Sequence, residues 1–339
     1  MPYYKVQAMR RHLTALIYRT FALLFSVFFL SESTIASTHN YTLKIAQHSS
    51  TTEDVAFSGE IQDAQIKRQA IKKWEVALRL WVEVGDKSQQ ARVQNNIGVL
   101  YSNLGEKQKA LEYYNSSLPL FRAVNDRSGE SITLTNIGLI YDNLGDKQKA
   151  LEYFNSALPL HRAIKDQSRE AATLSNIGLI YANLGDKQKA LEHYNSALPL
   201  FRAVGDQAGQ AATLSNIGLI YSERDKQKAL QYYNLALPLF RAVANKDEQA
   251  TTLNNIGAVY YNFGEKQQAL QYYNLALPLF RAVGNRHGQA ITLNNVGEVY
   301  DDLGEKQKAL QYYNLALPLF RAVGDKVGEA RTLNNIRRI

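Results

Sequence analysis

From residue 91 onward, apolar positions recur with helical spacing, and the whole pattern restarts about every forty residues. Ala171–Gln210 shows the unit. Leu174, Ile177, Tyr181 and Leu184 mark one face of a first helix. Gly185-Asp186 follows, a left-handed stop and then a cap for the next helix. Ala190, Leu191, Tyr194, Ala197, Leu198 and Phe201 mark one face of a second helix, which closes on Gly205-Asp206. Near copies occupy 91–130, 131–170, 211–249, 250–289 and 290–329, together residues 91–329. The copy at 211–249 is one residue short, because Ser222-Glu223-Arg224-Asp225 replaces a five-residue stretch such as Ala182-Asn183-Leu184-Gly185-Asp186. Residues 330–339 begin a seventh copy. Residues 61–90 read as a diverged capping half-repeat, with Ala70–Gln90 aligning with Ala110–Glu130. Two helices joined by a tight turn cannot bury an apolar face alone, so the hairpins must stack.

Residues that break helix rules recur with the same period. Gly98, Gly138, Gly178, Gly218, Gly257 and Gly297 lie inside first helices, where glycine costs about 1 kcal/mol relative to alanine. A cost repeated in every copy implies close approach of another helix, at Ala190 or Tyr194 for Gly178. Pro119, Pro159, Pro199, Pro238, Pro278 and Pro318 fall within second helices, where each removes a backbone hydrogen bond and predicts a bend with the ring outward. Arg122, Arg162, Arg202, Arg241, Arg281 and Arg321 follow three residues later, suited to a helix C-terminus and to pairing with the next aspartate, such as Asp126, Asp206 or Asp325.

The string Leu174-x-x-Ile177-Gly178-x-x-Tyr181, followed by Ala190, Tyr194 and Ala197, resembles the tetratricopeptide (TPR) signature, and it recurs in six copies. The long unit is similar to the forty-residue subclass found in kinesin light chains and bacterial repeat arrays. Two departures stand out: the common terminal proline has moved into the second helix, and Arg337 stands where the seventh copy needs glycine. The resemblance implies an all-α fold, a right-handed superhelical solenoid of antiparallel helix pairs whose first helices line a concave surface. It also implies a function: a scaffold that binds an extended peptide or partner protein in that groove.

The candidate peptide-binding residues are Asn96, Asn136, Asn176, Asn216, Asn255 and Asn295, each just before the Ile-Gly or Val-Gly pair of a first helix. Similar repeats use asparagine here to grip peptide backbone, and an amide offers both donors and an acceptor. The alternative is that these amides bond neighbouring helices within the stack. The residues before them (Asn95, Thr135, Ser175, Ser215, Asn254, Asn294) are not basic, which argues against a carboxylate clamp. A more variable row, Ser102-Asn103, Asp142-Asn143, Ala182-Asn183, Tyr261-Asn262 and Asp301-Asp302, lies near the first helix's end. It reads as a specificity rim or as plain polar surface. Of the tyrosine pairs on second helices, such as Tyr113-Tyr114 and Tyr232-Tyr233, one member should pack and the other face outward.

The first 36 residues break the pattern. Lys5, Arg10 and Arg11 precede the apolar run Phe21–Leu30, and small residues follow, with Thr34 and Ala36 suited to a cleavage site. This is the layout of a secretory signal peptide, so the chain is expected to be exported, to the periplasm or beyond. If the segment is retained, residues 13–30 become a membrane tether. Residues 37–60, polar and aperiodic, read as a linker.

The net charge of +8 raises nucleic acid as a partner, but residues 1–36 hold a surplus of three positive charges, and signs alternate along the repeats, as in Glu106, Lys107, Lys109 and Glu112. No nucleic-acid partner is expected. The chain has no cysteine, and its six histidines form no pair at helical ligand spacing. Metal, small-molecule cofactor and enzymatic activity are accordingly not expected. Bacterial arrays of this kind often precede a caspase-like (CHAT-type) protease, whose cysteine–histidine chemistry this chain lacks. The alternative function is therefore the truncated regulatory region of such an effector. The unfinished repeat at 330–339 would leave Tyr313 and Leu317 poorly covered, so the C-terminus is also a candidate for end-to-end self-association.

Overall fold

The computed structural model describes residues 52–339. The expected signal segment, 1–36, and the first part of the linker lie outside those residues. Among the described residues there are fourteen α-helices and no strand. Contacts divide the chain into two compact units, up to Asn136 and from Ile137 onward.

The first unit contains α1 (Thr52–Val84), α2 (Lys87–Asn103), α3 (Lys107–Ala123) and the front of α4 (Arg127–Asn143). Helix α1 runs through 52–60, which corrects the linker expectation for those residues. They contain no proline to break a helix, so lack of periodicity does not prevent one there. Further along, Ile71 and Trp81 of α1 pack on Val93 and Ile97 of α2.

The second unit takes in the rest of α4, then α5 (Lys147–Ala163), α6 (Gln167–Asn183), α7 (Lys187–Ala203), α8 (Gln207–Tyr221), α9 (Lys226–Ala242), α10 (Lys246–Asn262), α11 (Lys266–Ala282), α12 (Arg286–Asp302), α13 (Lys306–Ala322) and α14 (Lys326–Arg338). Each even-numbered helix from α6 to α12 pairs with the helix after it, and neighbouring pairs share one layer of core. In one such layer Tyr194 and Leu198 of α7 meet Leu214 and Ile217 of α8 and Phe240 of α9.

The turns follow the expected stop-and-cap chemistry. Gly145, Gly185, Gly264 and Gly304 hold φ between +78° and +85°. At three turns a residue with a side chain takes the same left-handed conformation: Asn125 (φ 54°), Lys165 (φ 56°) and Ala244 (φ 54°). Asp186 accepts from the Lys189 amide at 3.1 Å, and Asn245 from the Glu248 amide at 3.1 Å. Glu106, Glu265 and Glu305 occupy the equivalent cap and make no such bond, since their longer side chains overshoot the amide. In the shortened copy α8 stops at Tyr221, whose carbonyl accepts from the Asp225 amide at 2.9 Å, and no glycine is needed.

The interior glycines mark helix contact, as expected. A Cβ on Gly178 would sit 2.8 Å from Cδ1 and Cε1 of Tyr194 and 3.2 Å from the Ala190 carbonyl oxygen. Tyr114, Phe154, Tyr233, Tyr273 and Tyr313 press on Gly98, Gly138, Gly218, Gly257 and Gly297 in the same way. A second glycine series, at Gly129, Gly209, Gly288 and Gly328, lies under Phe121, Phe201, Phe280 and Phe320. In the copy where Arg169 replaces that glycine, the ring is the smaller His161, fully buried. Burial pushes the His161 imidazole below its usual range, against a smaller opposing pull from Asp166.

Four expectations need correcting or completing. Tyr313 is 1% exposed, because α12 supplies Gly297 beneath its ring, and only Leu317 is left half-buried. Three of the six arginines pair with a glutamate eight residues on and not with the aspartate: Arg122–Glu130 (2.6 Å), Arg162–Glu170 and Arg321–Glu329 (both 2.7 Å). Asp126 and Asp325 are engaged in capping the amides of Gly129 and Gly328. The member of each tyrosine pair that does not pack in the core is not on the outside but half-buried, stacked on the first helix's tyrosine, as in Tyr101–Tyr113 (5.5 Å) and Tyr260–Tyr272 (5.3 Å). Tyr113 also donates to Glu75, and burial with that carboxylate raises its hydroxyl pKa to about 12. The six prolines are exposed, as expected, and the helices run on through them for one further turn.

Candidate functional site

The first helices carry a polar row that links neighbouring repeats at several points. A threonine near the start of the helix is fully buried in every copy after the first, which has Val93 there: Thr133, Thr173, Thr213, Thr252, Thr292 and Thr332. Thr133, Thr213 and Thr252 donate to the carbonyl four residues back, at 2.7, 2.8 and 2.8 Å. At four of these positions the residue before a ladder asparagine meets the threonine of the following copy. Asn95 Nδ2 donates to Thr133 Oγ1 at 2.8 Å, and the Ser175 and Thr213 hydroxyls lie 3.2 Å apart. The Thr292 and Thr332 hydroxyls reach Asn254 Oδ1 (3.1 Å) and Asn294 Oδ1 (3.0 Å). Sequence reading passed over this row, since it looked only for basic residues there. The signal was the threonine three residues before every ladder asparagine except Asn96.

The ladder asparagines sit differently. Asn96 is exposed, and Asn136, Asn176, Asn216, Asn255 and Asn295 are half-buried. Asn295 Nδ2 donates to Asn254 Oδ1 across the repeat boundary at a long 3.4 Å. The Tyr194 hydroxyl, buried without a well-aligned partner, lies against Asn216. In the first unit Asn96 and Asn95 help line a cleft of about 290 Å³ together with Arg92, Phe121, Asp126 and Ile132.

One helical turn beyond the asparagines comes a row the sequence reading did not single out. Its members are Val99, Leu139, Leu179, Leu219, Ala258 and Glu298. Leu139 and Leu179 are 38% exposed and Leu219 55%, whereas Leu174 and Leu214 on the packed face are 3% and 1% exposed. These leucines escaped notice because the spacing that buries one leucine exposes another five residues later. The rim beyond is charged in places. Lys147 Nζ meets Asp142 at 2.7 Å, Lys306 pairs with Asp301, and the Tyr261 hydroxyl donates to Asp302 at 2.9 Å. Lysines from the second helix lie over the stacked tyrosines, as Lys149 does over Tyr141 at 5.0 Å. No helix among the described residues is long and apolar enough to cross a membrane.

Paired helices of one pattern, laid side by side and stitched by polar bonds between copies, define a helical-hairpin repeat protein. The tetratricopeptide repeat model matches residues 67–123, 90–163, 169–242 and 248–322, well over half of the chain, and the chain belongs to that family. No curated protein sequence matches the chain significantly. Among solved structures it is similar to a signal transduction ATPase with numerous domains bearing a tetratricopeptide repeat sensor, from Pyrococcus horikoshii (TM-score 0.64, 18% identity). That match covers 79% of this chain and 43% of the ATPase, so the chain spans under half its length. It is also similar to the APC/C hetero-tetramer Cut9–Hcn1 (TM-score 0.58, 16% identity, 79% of this chain and 46% of that one). A third similar structure is the apo quorum sensor NprR from B. thuringiensis (TM-score 0.51, 17% identity, 93% of this chain and 99% of that one). At these identities the likeness establishes the fold.

Proposed function

We propose that this TPR scaffold holds an extended peptide segment of a partner protein along its first-helix groove. In this reading Asn96, Asn136, Asn176, Asn216, Asn255 and Asn295 bond the peptide backbone. The supporting observation is the division of labour between adjacent positions: Asn95 and Asn254 are engaged in cross-repeat bonds, while Asn96 is exposed and Asn255 stays partly so. A ladder of such amides can serve successive N–H and C=O groups whatever the peptide's side chains. Similar folds described as a sensor, a quorum sensor and part of a hetero-tetramer fit an interaction role. The N-terminal segment would place that role outside the cytoplasm, which N-terminal sequencing of the exported protein tests. The binding test uses the full chain and a variant with Asn136, Asn176 and Asn216 changed to alanine, each offered a phage library of random peptides. Capture should fall at least tenfold with helicity unchanged. Undiminished capture would refute the ladder.

A further inference from the structure

The half of the site in the second unit carries a side-chain pattern that selects among peptides. Leu139, Leu179 and Leu219 stand on consecutive first helices, α4, α6 and α8, each three residues beyond a ladder asparagine and so on its face. Their exposure sets them apart from the packed leucines of the same helices. Exposed leucines are ordinary singly, but three aligned copies make a continuous apolar strip. The series then changes character, with Ala258 on α10 and Glu298 on α12.

Glu298 is built into the site. Asn294 Nδ2 donates to its Oε1 at 2.8 Å, and Asn335 Nδ2 to the same oxygen at 3.2 Å. Two amides on one oxygen hold the carboxylate in place and leave Oε2 as the acceptor for an incoming cation. Asp302, one turn further along α12, adds negative charge to that end, whereas Asp301 is paired with Lys306.

Spacing converts this row into a motif. Cross-repeat bonds show successive first helices in direct contact, which sets their axes roughly 8–10 Å apart. An extended chain advances about 3.3 Å per residue, so about three residues pass each repeat. Glu298 lies two repeats beyond Leu219, hence about six residues on. We propose that the guest is an extended segment with aliphatic side chains at every third position, three in all, and a lysine or arginine about six residues beyond the last. This rests on the reading that the first-helix face binds extended peptide. Charge complementarity at Glu298 and the apolar strip argue for such a peptide over a second copy of this chain.

The test is a phage library of random 15-residue peptides panned on the full chain, followed by sequencing of the captured pool. The pool should be enriched in the spaced aliphatic triplet with a basic residue on one side of it. Panning on Glu298→Lys should replace the basic preference with an acidic one, and Leu179→Glu should erase the triplet. A synthetic winner with its basic residue changed to glutamate should bind the wild type at least tenfold more weakly. Capture without the triplet, or with no charge reversal on Glu298→Lys, overturns the motif while leaving peptide binding intact. Absence of any capture refutes the underlying reading instead. Concentration-dependent self-association of the wild type that Leu179→Glu abolishes would assign the leucines to a second copy and overturn the proposal.

Discussion

Changing Gly178 to alanine sets two known quantities against each other. Helix propensity favours alanine by about 1 kcal/mol. Against this, the new Cβ would lie 2.8 Å from two ring carbons of Tyr194 and 3.2 Å from the Ala190 carbonyl oxygen. Carbon atoms in contact prefer about 3.5–4.0 Å, so the ring or the helix must move by several tenths of an ångström. Tyr194 is fully buried within its core layer, and Ala190 Cβ is fully buried beside it, so neither has room to withdraw. Overpacking of a tight core costs about 1–3 kcal/mol, so the net effect should be a loss of about 1 kcal/mol. Urea titration followed by far-ultraviolet circular dichroism would measure it, with hydrogen exchange localising the loss to α6 and α7. The double variant with Tyr194→Leu supplies the control. With the ring gone, alanine should become neutral or favourable, giving a coupling of about 1 kcal/mol or more between the two sites. If Gly178→Ala alone raises the midpoint, ring contact is not what requires glycine there.

Other outcomes follow from the turns and the odd copies. Glu305→Asp should stabilise the chain by about 0.5–1 kcal/mol, because aspartate at the equivalent cap reaches the amide three residues on, as Asp186 does; the urea midpoint reads it. Ala244→Gly should relieve a left-handed backbone strain of about 1–2 kcal/mol, less the entropy glycine loses, for a net gain of about 0.5–1 kcal/mol in the same assay. His161 and His193 both have pKa values lowered chiefly by burial. Below the unfolded imidazole pKa of about 6.5 the unfolded chain binds more protons, so stability should fall as pH drops from 7 towards 5. His161→Phe should reduce that slope, as thermal melts across this range would show, and an unchanged slope would remove His161 from the account.

The fold was largely readable from the chain because each repeat states it again. Gly178 announced a close ring, Gly185-Asp186 announced a turn, and both stand as expected. What eluded reading was partner choice among polar groups. Arg122 has an aspartate four residues on and a glutamate eight on, and only the cap geometry that occupies Asp126 decides between them. The same applies to adjacent asparagines: Asn254 and Asn255 look equivalent in sequence, yet one faces the next repeat's threonine and the other stays partly open. A helix rotation of 100° separates them, and that rotation is set by packing of the apolar face. The helix over 52–60 was missed because its polar residues carry no periodic stripe to reveal it.

The central claim is that guests lie on the first-helix face. It is tested most directly by placing a photo-crosslinking side chain at Leu179 on that face, or at Asn234 on the exposed side of α9, and irradiating each with a library-selected peptide. Crosslinking from position 179, with little from 234, is the predicted result. Efficient crosslinking at 234 with none at 179 would contradict the account.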